Sequence, residues 1–137
     1  MIERHGNTAG ISGLPAISQV VTHNGLVYLC GVTPDPSGDI TTQTRQVLQR
    51  VDTLLRRAGT EKSRLLTAQV WLSDMAMFDE HNLVWNEWVD AGNPPARACV
   101  ESQLWRDGML VEVMATAAAG QSPGPRGPPA SGSRLNV

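Results

Sequence analysis

Two charged residues set in apolar company raise the question of function. In the stretch NPPARACVESQLWRDGMLVEVMATA (Asn93–Ala117), Arg97 enters one strand-like run, Arg97–Leu104. Glu112 stands between Val111 and Val113 in a second, Leu110–Ala117, after the turn-forming Arg106-Asp107-Gly108. Unpaired charge is costly in such surroundings, so each must be paired or used. A guanidinium presents a planar fork that grips a carboxylate through two parallel hydrogen bonds, which orients a small acid as well as attracting it. A glutamate desolvated between valines has a raised pKa, which suits a general base or acid near neutral pH. The plainer alternatives are an ion pair of Arg97 with Glu101 or Glu112, and an outward-facing Glu112 on an edge strand. Cys99 shares a strand face with Arg97 by alternation. Nothing near it in sequence would lower its pKa enough to make it a nucleophile. His5, His23 and His81 are scattered without carboxylate or cysteine partners at ligand spacing, so no metal site is read.

The elements that must position these residues are legible from periodicity. Ile17–Thr22 and Leu26–Gly31 are apolar, β-branched runs separated by His23-Asn24-Gly25, and Asn-Gly between such runs signals a tight hairpin. From Thr41 to Ala58 the period becomes helical, with Val47, Leu48, Val51, Leu54, Leu55 and Ala58 on one stripe and Gln43 among the residues assigned elsewhere. Asp39 or Thr41 can cap the start and Gly59 closes the end. Leu65–Leu72 alternates as a strand whose second face, with Leu65 and Trp71, is too apolar to be fully solvated. A second helix is expected over Ala76–Ala91, capped by Ser73 or Asp74 and stopped by Gly92 and Pro94-Pro95. Its core stripe is Phe78, Trp85, Trp88 and Val89, with His81 and Asn82 falling inside it. The first fifteen residues are irregular, with room for a short edge strand. The order β-β-α-β-α-β-β predicts one α+β domain over residues 1–119, a single sheet with two helices packed on one face. Residues 120–137 carry four prolines and four glycines and read as a disordered tail.

Composition excludes several classes. A net charge of −2 gives no footprint for nucleic acid or anionic membrane. The polar start MIERHGNTAG lacks a signal-like apolar core, no segment approaches a membrane span, and a cytoplasmic protein is expected. Cys30 and Cys99 both lie in apolar runs, as buried free thiols do, and nothing in the sequence supports the alternative of one disulfide between them. The four tryptophans, Trp71, Trp85, Trp88 and Trp105, read as core and interface mass.

PARACVE, followed by an apolar-flanked glutamate at Glu112, resembles the RidA family of reactive-intermediate deaminases. The likeness extends through Ser18-Gln19, Asn24-Gly25, Gly31, Pro34 and Phe78…Asn82, roughly Ile17 to Ala117. It implies a chorismate-mutase-like fold assembled as a homotrimer, with the site between subunits and no cofactor. By the same resemblance Arg97 holds a substrate carboxylate, Glu112 positions the attacking water, and Cys99 lines the pocket. Asn82 faces that pocket and Gly31 lies against the ligand. From the residues alone, Asn82 could equally be a helix-surface amide and Gly31 a strand-end turn before Pro34. Ile17 stands where the family often has a tyrosine, which removes a hydroxyl from the pocket, and Met114 stands where many relatives have a second acid.

The activity expected is hydrolysis of 2-imino or 2-enamino acids to 2-keto acids and ammonia, by Arg97 and Glu112. A small-carboxylate-binding module without turnover is the alternative, favoured by Ile17. A ribonuclease wants a basic groove and usually a histidine pair, and the charge and isolated histidines argue against it.

Overall fold

Asn24 and Gly25 adopt left-handed backbone, φ 50° and 77°, as a two-residue hairpin turn requires. They join β2 (Val20–His23) to β3 (Leu26–Leu29) in antiparallel register, with Val20 opposite Leu29. The computed structural model describes residues 1–120; of the tail expected from sequence, residues 121–137 lie outside that range. A short β1 (Glu3–His5) pairs with β2 at one edge. The hairpin is shorter than its apolar runs suggest. Ile17 lies before β2 in a segment tied back on itself, Thr8 N–H donating to Ile17 O and Ile17 N–H to Thr8 Oγ1.

Helix α1 (Ile40–Arg57) starts where Asp39 accepts from Thr42 N–H at 2.9 Å, and ends on Arg56, Arg57 and the left-handed Gly59. After a 3-10 turn at Lys62–Arg64 comes β4 (Leu65–Leu72). A second 3-10 turn, Met75–Met77, is capped by Asp74, whose carboxylate accepts from Ala76 N–H. Helix α2 (Phe78–Trp88) follows, three residues shorter at its C-terminus than expected. Val89 is already extended, and Asp90 takes the Gly92 N–H into a local turn instead of letting the helix continue. Strand β5 (Ala96–Glu101) then runs parallel to β4, as a strand returning through a helix must. It ends short of Leu104 because β4, its one neighbour among the described residues, ends at Leu72. Strand β6 (Val111–Ala118) lies between β3 and β4, antiparallel to both.

The sheet order is β1-β2-β3-β6-β4-β5, a mixed six-stranded sheet. Both helices pack on one face over Val27, Leu29, Val70, Leu72, Val111 and Val113, joined by Val47, Leu48, Val51 and Leu55 from α1 and Val84 and Trp85 from α2. The expected layer architecture is therefore observed. Gln43, assigned from its position to the solvated side of α1, is instead 1% exposed. Its amide donates to Gly108 O at 2.7 Å and accepts from Leu110 N–H at 2.8 Å, so it straps α1 to the start of β6. Trp105, read as core or interface mass, is 71% exposed on the loop after β5. No helix among the described residues is long and apolar enough to cross a membrane.

Candidate functional site

The strand registers decide which side of the sheet each candidate occupies. Arg97 stands opposite Ala68, which stands opposite Ala115, and both alanines are buried under the helices. Arg97 and Cys99 therefore point to the helix side. Glu112 pairs with Trp71 and alternates with the buried Val111 and Val113, so it points to the open side. Within one chain the two residues are on opposite faces and cannot reach one small molecule together.

Arg97 sits on the edge strand β5 beneath α2, and α2 builds its surroundings. Phe78, His81, Asn82 and Trp85 recur at helical spacing and turn one stripe toward the guanidinium. Nη2 donates to Asn82 Oδ1 at 2.8 Å, and Nη1 meets His81 Nε2 at 3.3 Å. The guanidinium carbon lies 4.9 Å from the centre of the Trp85 ring and 6.0 Å from that of Phe78, within cation–π range. No carboxylate among the described residues pairs with it; the ion pairs found there are Arg45–Glu87 and Arg50–Asp35. The ion-pair alternative is thereby corrected: Glu101 instead accepts from Met75 N–H at 2.7 Å, and Glu112 is across the sheet. Arginine has five N–H donors. Two are taken by neutral acceptors, so the half-buried cation retains both charge and donors for an anion.

On the open face Glu112 is half-buried, and desolvation raises its pKa above the usual 4.5. Gly31 lies directly against it: a Cβ there would run into the Glu112 carboxylate. Glycine is required here for space and not for backbone geometry. The Cys30 thiol is also raised, by burial first and by the nearby Glu112 charge. The Cys99 thiol is raised by burial, partly offset by Arg97, so neither cysteine is set up as a thiolate nucleophile. The structure thus brings Arg97 and Asn82 into contact, with Cys99 two residues along β5 on the same face, and separately Glu112 with Gly31. Ile17 is 42% exposed, outside any strand. An open cleft of about 370 Å³ beside Glu101, Gln103 and Asp107 contains neither Arg97 nor Glu112.

Sequence reasoning missed His81 as a partner of Arg97. It is fully buried, with Nδ1 3.1 Å from Thr44 Oγ1 of α1. The usable signal was its place, with Asn82, inside an otherwise apolar helical stripe. No group of three or more His, Cys, Asp or Glu side chains among the described residues is arranged to hold a metal ion.

Fold and site together define a small α+β domain with an uncountered arginine under a helix and a desolvated glutamate on the open sheet face. Residues 10–119 match the family described as endoribonuclease L-PSP. A RutC family protein of Haemophilus ducreyi is 43% identical over 102 residues, spanning 74% of this chain and 87% of the relative. The RutC family protein YoaB of Escherichia coli is 36% identical over 101 residues, 74% of this chain and 89% of its own. A crystal structure of a YjgF family member from Neisseria meningitidis superposes with a TM-score of 0.82 at 37% identity, covering 89% of this chain and 98% of that one. The chain belongs to this YjgF/RidA/RutC family.

Proposed function

We propose that the protein hydrolyses reactive 2-imino acids and their 2-enamino tautomers to 2-keto acids and ammonia, in a site shared between copies of the chain. The observation that carries this reading is the Arg97 guanidinium, held by two neutral acceptors and two aromatic rings with no carboxylate against it among the described residues. Such a cation is an anchor for an external carboxylate. Glu112 supplies the second function: a carboxylate with a raised pKa takes a proton from water more readily near neutral pH. With the substrate carboxylate on Arg97, water adds to C2 as Glu112 accepts its proton. In the protonated imine the C–N π electrons move to nitrogen, giving a neutral carbinolamine. Glu112 returns that proton to nitrogen; as the C–N bond breaks and ammonia leaves, the carbinolamine hydroxyl gives its proton to Glu112 and closes the 2-keto carbonyl. An iminium carbon is already electrophilic, so the residues need only orient it and its water.

Because Arg97 and Glu112 face opposite sides of one sheet, this chemistry needs the helix side of one copy beside the open face of another. The open face exposes Tyr28, Val100 and Met114 at 42–45%, apolar surface that a second copy would cover. A cyclic homotrimer is the proposed arrangement.

The test is ammonia release from imines generated in situ by an amino-acid oxidase, compared with buffer. A rate indistinguishable from buffer on every imine would overturn the enzymatic reading. It would leave the second one, a carboxylate-binding module, which Ile17 in place of a pocket hydroxyl favours. A ribonuclease is disfavoured by His81, which is fully buried and has no access to a phosphodiester.

A further inference from the structure

Four polar side chains are buried among the described residues: Gln43, Thr44, Thr60 and His81. Two tie main chain together, Gln43 to Gly108 and Leu110 and Thr60 to Ala118 O. The other two form a chain that ends on the proposed anchor. Thr44 Oγ1 of α1 lies 3.1 Å from His81 Nδ1 of α2, and His81 Nε2 lies 3.3 Å from Arg97 Nη1 of β5.

Resting on the reading of Arg97 as a carboxylate anchor, we propose that His81 is a positioning residue: a neutral acceptor, its Nε2 lone pair turned to Arg97 and its Nδ1–H to Thr44, that holds the guanidinium without neutralising it. A guanidinium donates and never accepts, so a hydrogen bond to His81 Nε2 requires the lone pair on that nitrogen. The single N–H of a neutral imidazole then sits on Nδ1, facing the Thr44 hydroxyl oxygen, which accepts it. Burial and then the Arg97 charge hold the His81 pKa at about 4, which keeps the ring neutral. An imidazolium here would set two cations in contact with no carboxylate paired to either among the described residues.

The choice of acceptors explains the arrangement. A glutamate at position 81 would hold Arg97 as firmly but would also cancel its charge and compete with any incoming carboxylate. An apolar residue would fill the volume more cheaply but leave a flexible side chain on an edge strand. A neutral histidine, with Asn82 as the second acceptor, fixes the guanidinium while leaving its charge free. The guanidinium lies over the Trp85 and Phe78 rings. This is a task distinct from packing.

Two measurements on the full chain test the proposal. Nitrogen-15 spectra of labelled histidine at pH 7 should show His81 with Nδ1 protonated and Nε2 bare. The second is the affinity for 2-oxobutanoate, a non-reacting probe, by calorimetry. His81→Val should weaken it on the order of tenfold, the scale of a hydrogen bond to a charged group. His81→Gln, which retains an acceptor, should recover most of that loss, and His81→Glu should abolish binding by occupying Arg97. A protonated Nε2 in the parent, or equal affinity for His81→Val and the parent, overturns the proposal. Equal losses in the Val and Gln variants would mean that only packing matters at this position, and would overturn it too. The spectra use the unaltered protein, so the outcome does not depend on the valine variant folding. The two failures read differently: a parent that binds no 2-oxobutanoate overturns the anchor itself, and a protonated Nε2 in a parent that binds overturns only the part assigned to His81.

Discussion

At Arg97, charge and shape make separable contributions. Arg97→Ala removes both, and affinity for 2-keto acids and turnover of 2-imino acids should fall together, by roughly a hundredfold in Kd on the scale of a lost charge-assisted pair. Arg97→Lys keeps the charge but loses the planar fork that Asn82 and His81 hold, and should recover little of that loss. Near-parent activity in the lysine variant would show that charge alone suffices. Glu112→Gln separates the other function. It keeps size and hydrogen bonding, so binding should persist while kcat drops by about a hundredfold or more, the usual worth of a positioned acid–base group. A sign follows for stability as well. The folded pKa of Glu112 is raised, so the folded protein holds that proton more tightly than the unfolded chain. Its stabilising contribution is present below about pH 4.5, the unfolded value, and is lost as pH rises through the folded pKa. The Gln variant should therefore gain in Tm relative to the parent as pH increases, and a gap that does not change with pH would mean that the carboxylate is not desolvated. These two residues were legible because charge within apolar alternation is a local pattern. His81 was not recognised as a partner of Arg97, since its partners are 37 and 16 residues away in sequence and only packing brings them together.

The elements show why some boundaries could be read and others not. The Asn24-Gly25 hairpin and the Asp39 cap are encoded by residues within a few positions of each other, and both stand as expected. The end of α2 depends on competition between helix and the Asp90 turn, and the end of β5 on the length of β4, neither of which periodicity reports. Gln43 falls at a helix position that faces the β5–β6 connection. Its burial is invisible until that connection is placed over it. Gly31 gives the sharpest test at this scale. Its pattern reads equally as a turn or as close approach, and the geometry favours close approach, because the Glu112 carboxylate occupies the space of a side chain. Gly31→Ala should displace that carboxylate, destabilising the fold by about 1–3 kcal/mol as overpacking does and reducing turnover. Adding Glu112→Ala should restore the lost stability but not the activity. If the double variant is no more stable than Gly31→Ala alone, the conflict lies elsewhere.

For the whole molecule, the sheet makes a demand that one chain cannot meet. Arg97 and Glu112 are fifteen positions apart, an odd number, on two strands that both pair with β4. Register and alternation place them on opposite faces. Half of this was readable in the alternation of each strand. The relation between the two faces was not, because it depends on the register of β5 and β6 against β4. A reaction that uses both residues must then draw them from different copies, and this gives a measurement that neither single variant provides. Arg97→Ala and Glu112→Gln should each retain only a small residue of the parent activity. If the two are unfolded together and refolded as a mixture, some interfaces will pair the intact Arg97 of one copy with the intact Glu112 of the next. In a closed ring with one such site per interface, random equal mixing restores about one quarter of the parent activity. Sedimentation of the mixture should give the same mass as the parent, three chains in the proposed assembly. Activity that stays at the sum of the two separate variants, with mixed assemblies demonstrated by mass, would mean that no site is shared. The double variant Arg97→Ala/Glu112→Gln mixed with parent chains tests the same geometry from the opposite direction. A shared site predicts activity falling as the square of the parent fraction, since both copies at an interface must be intact, and a site within one chain predicts a linear fall.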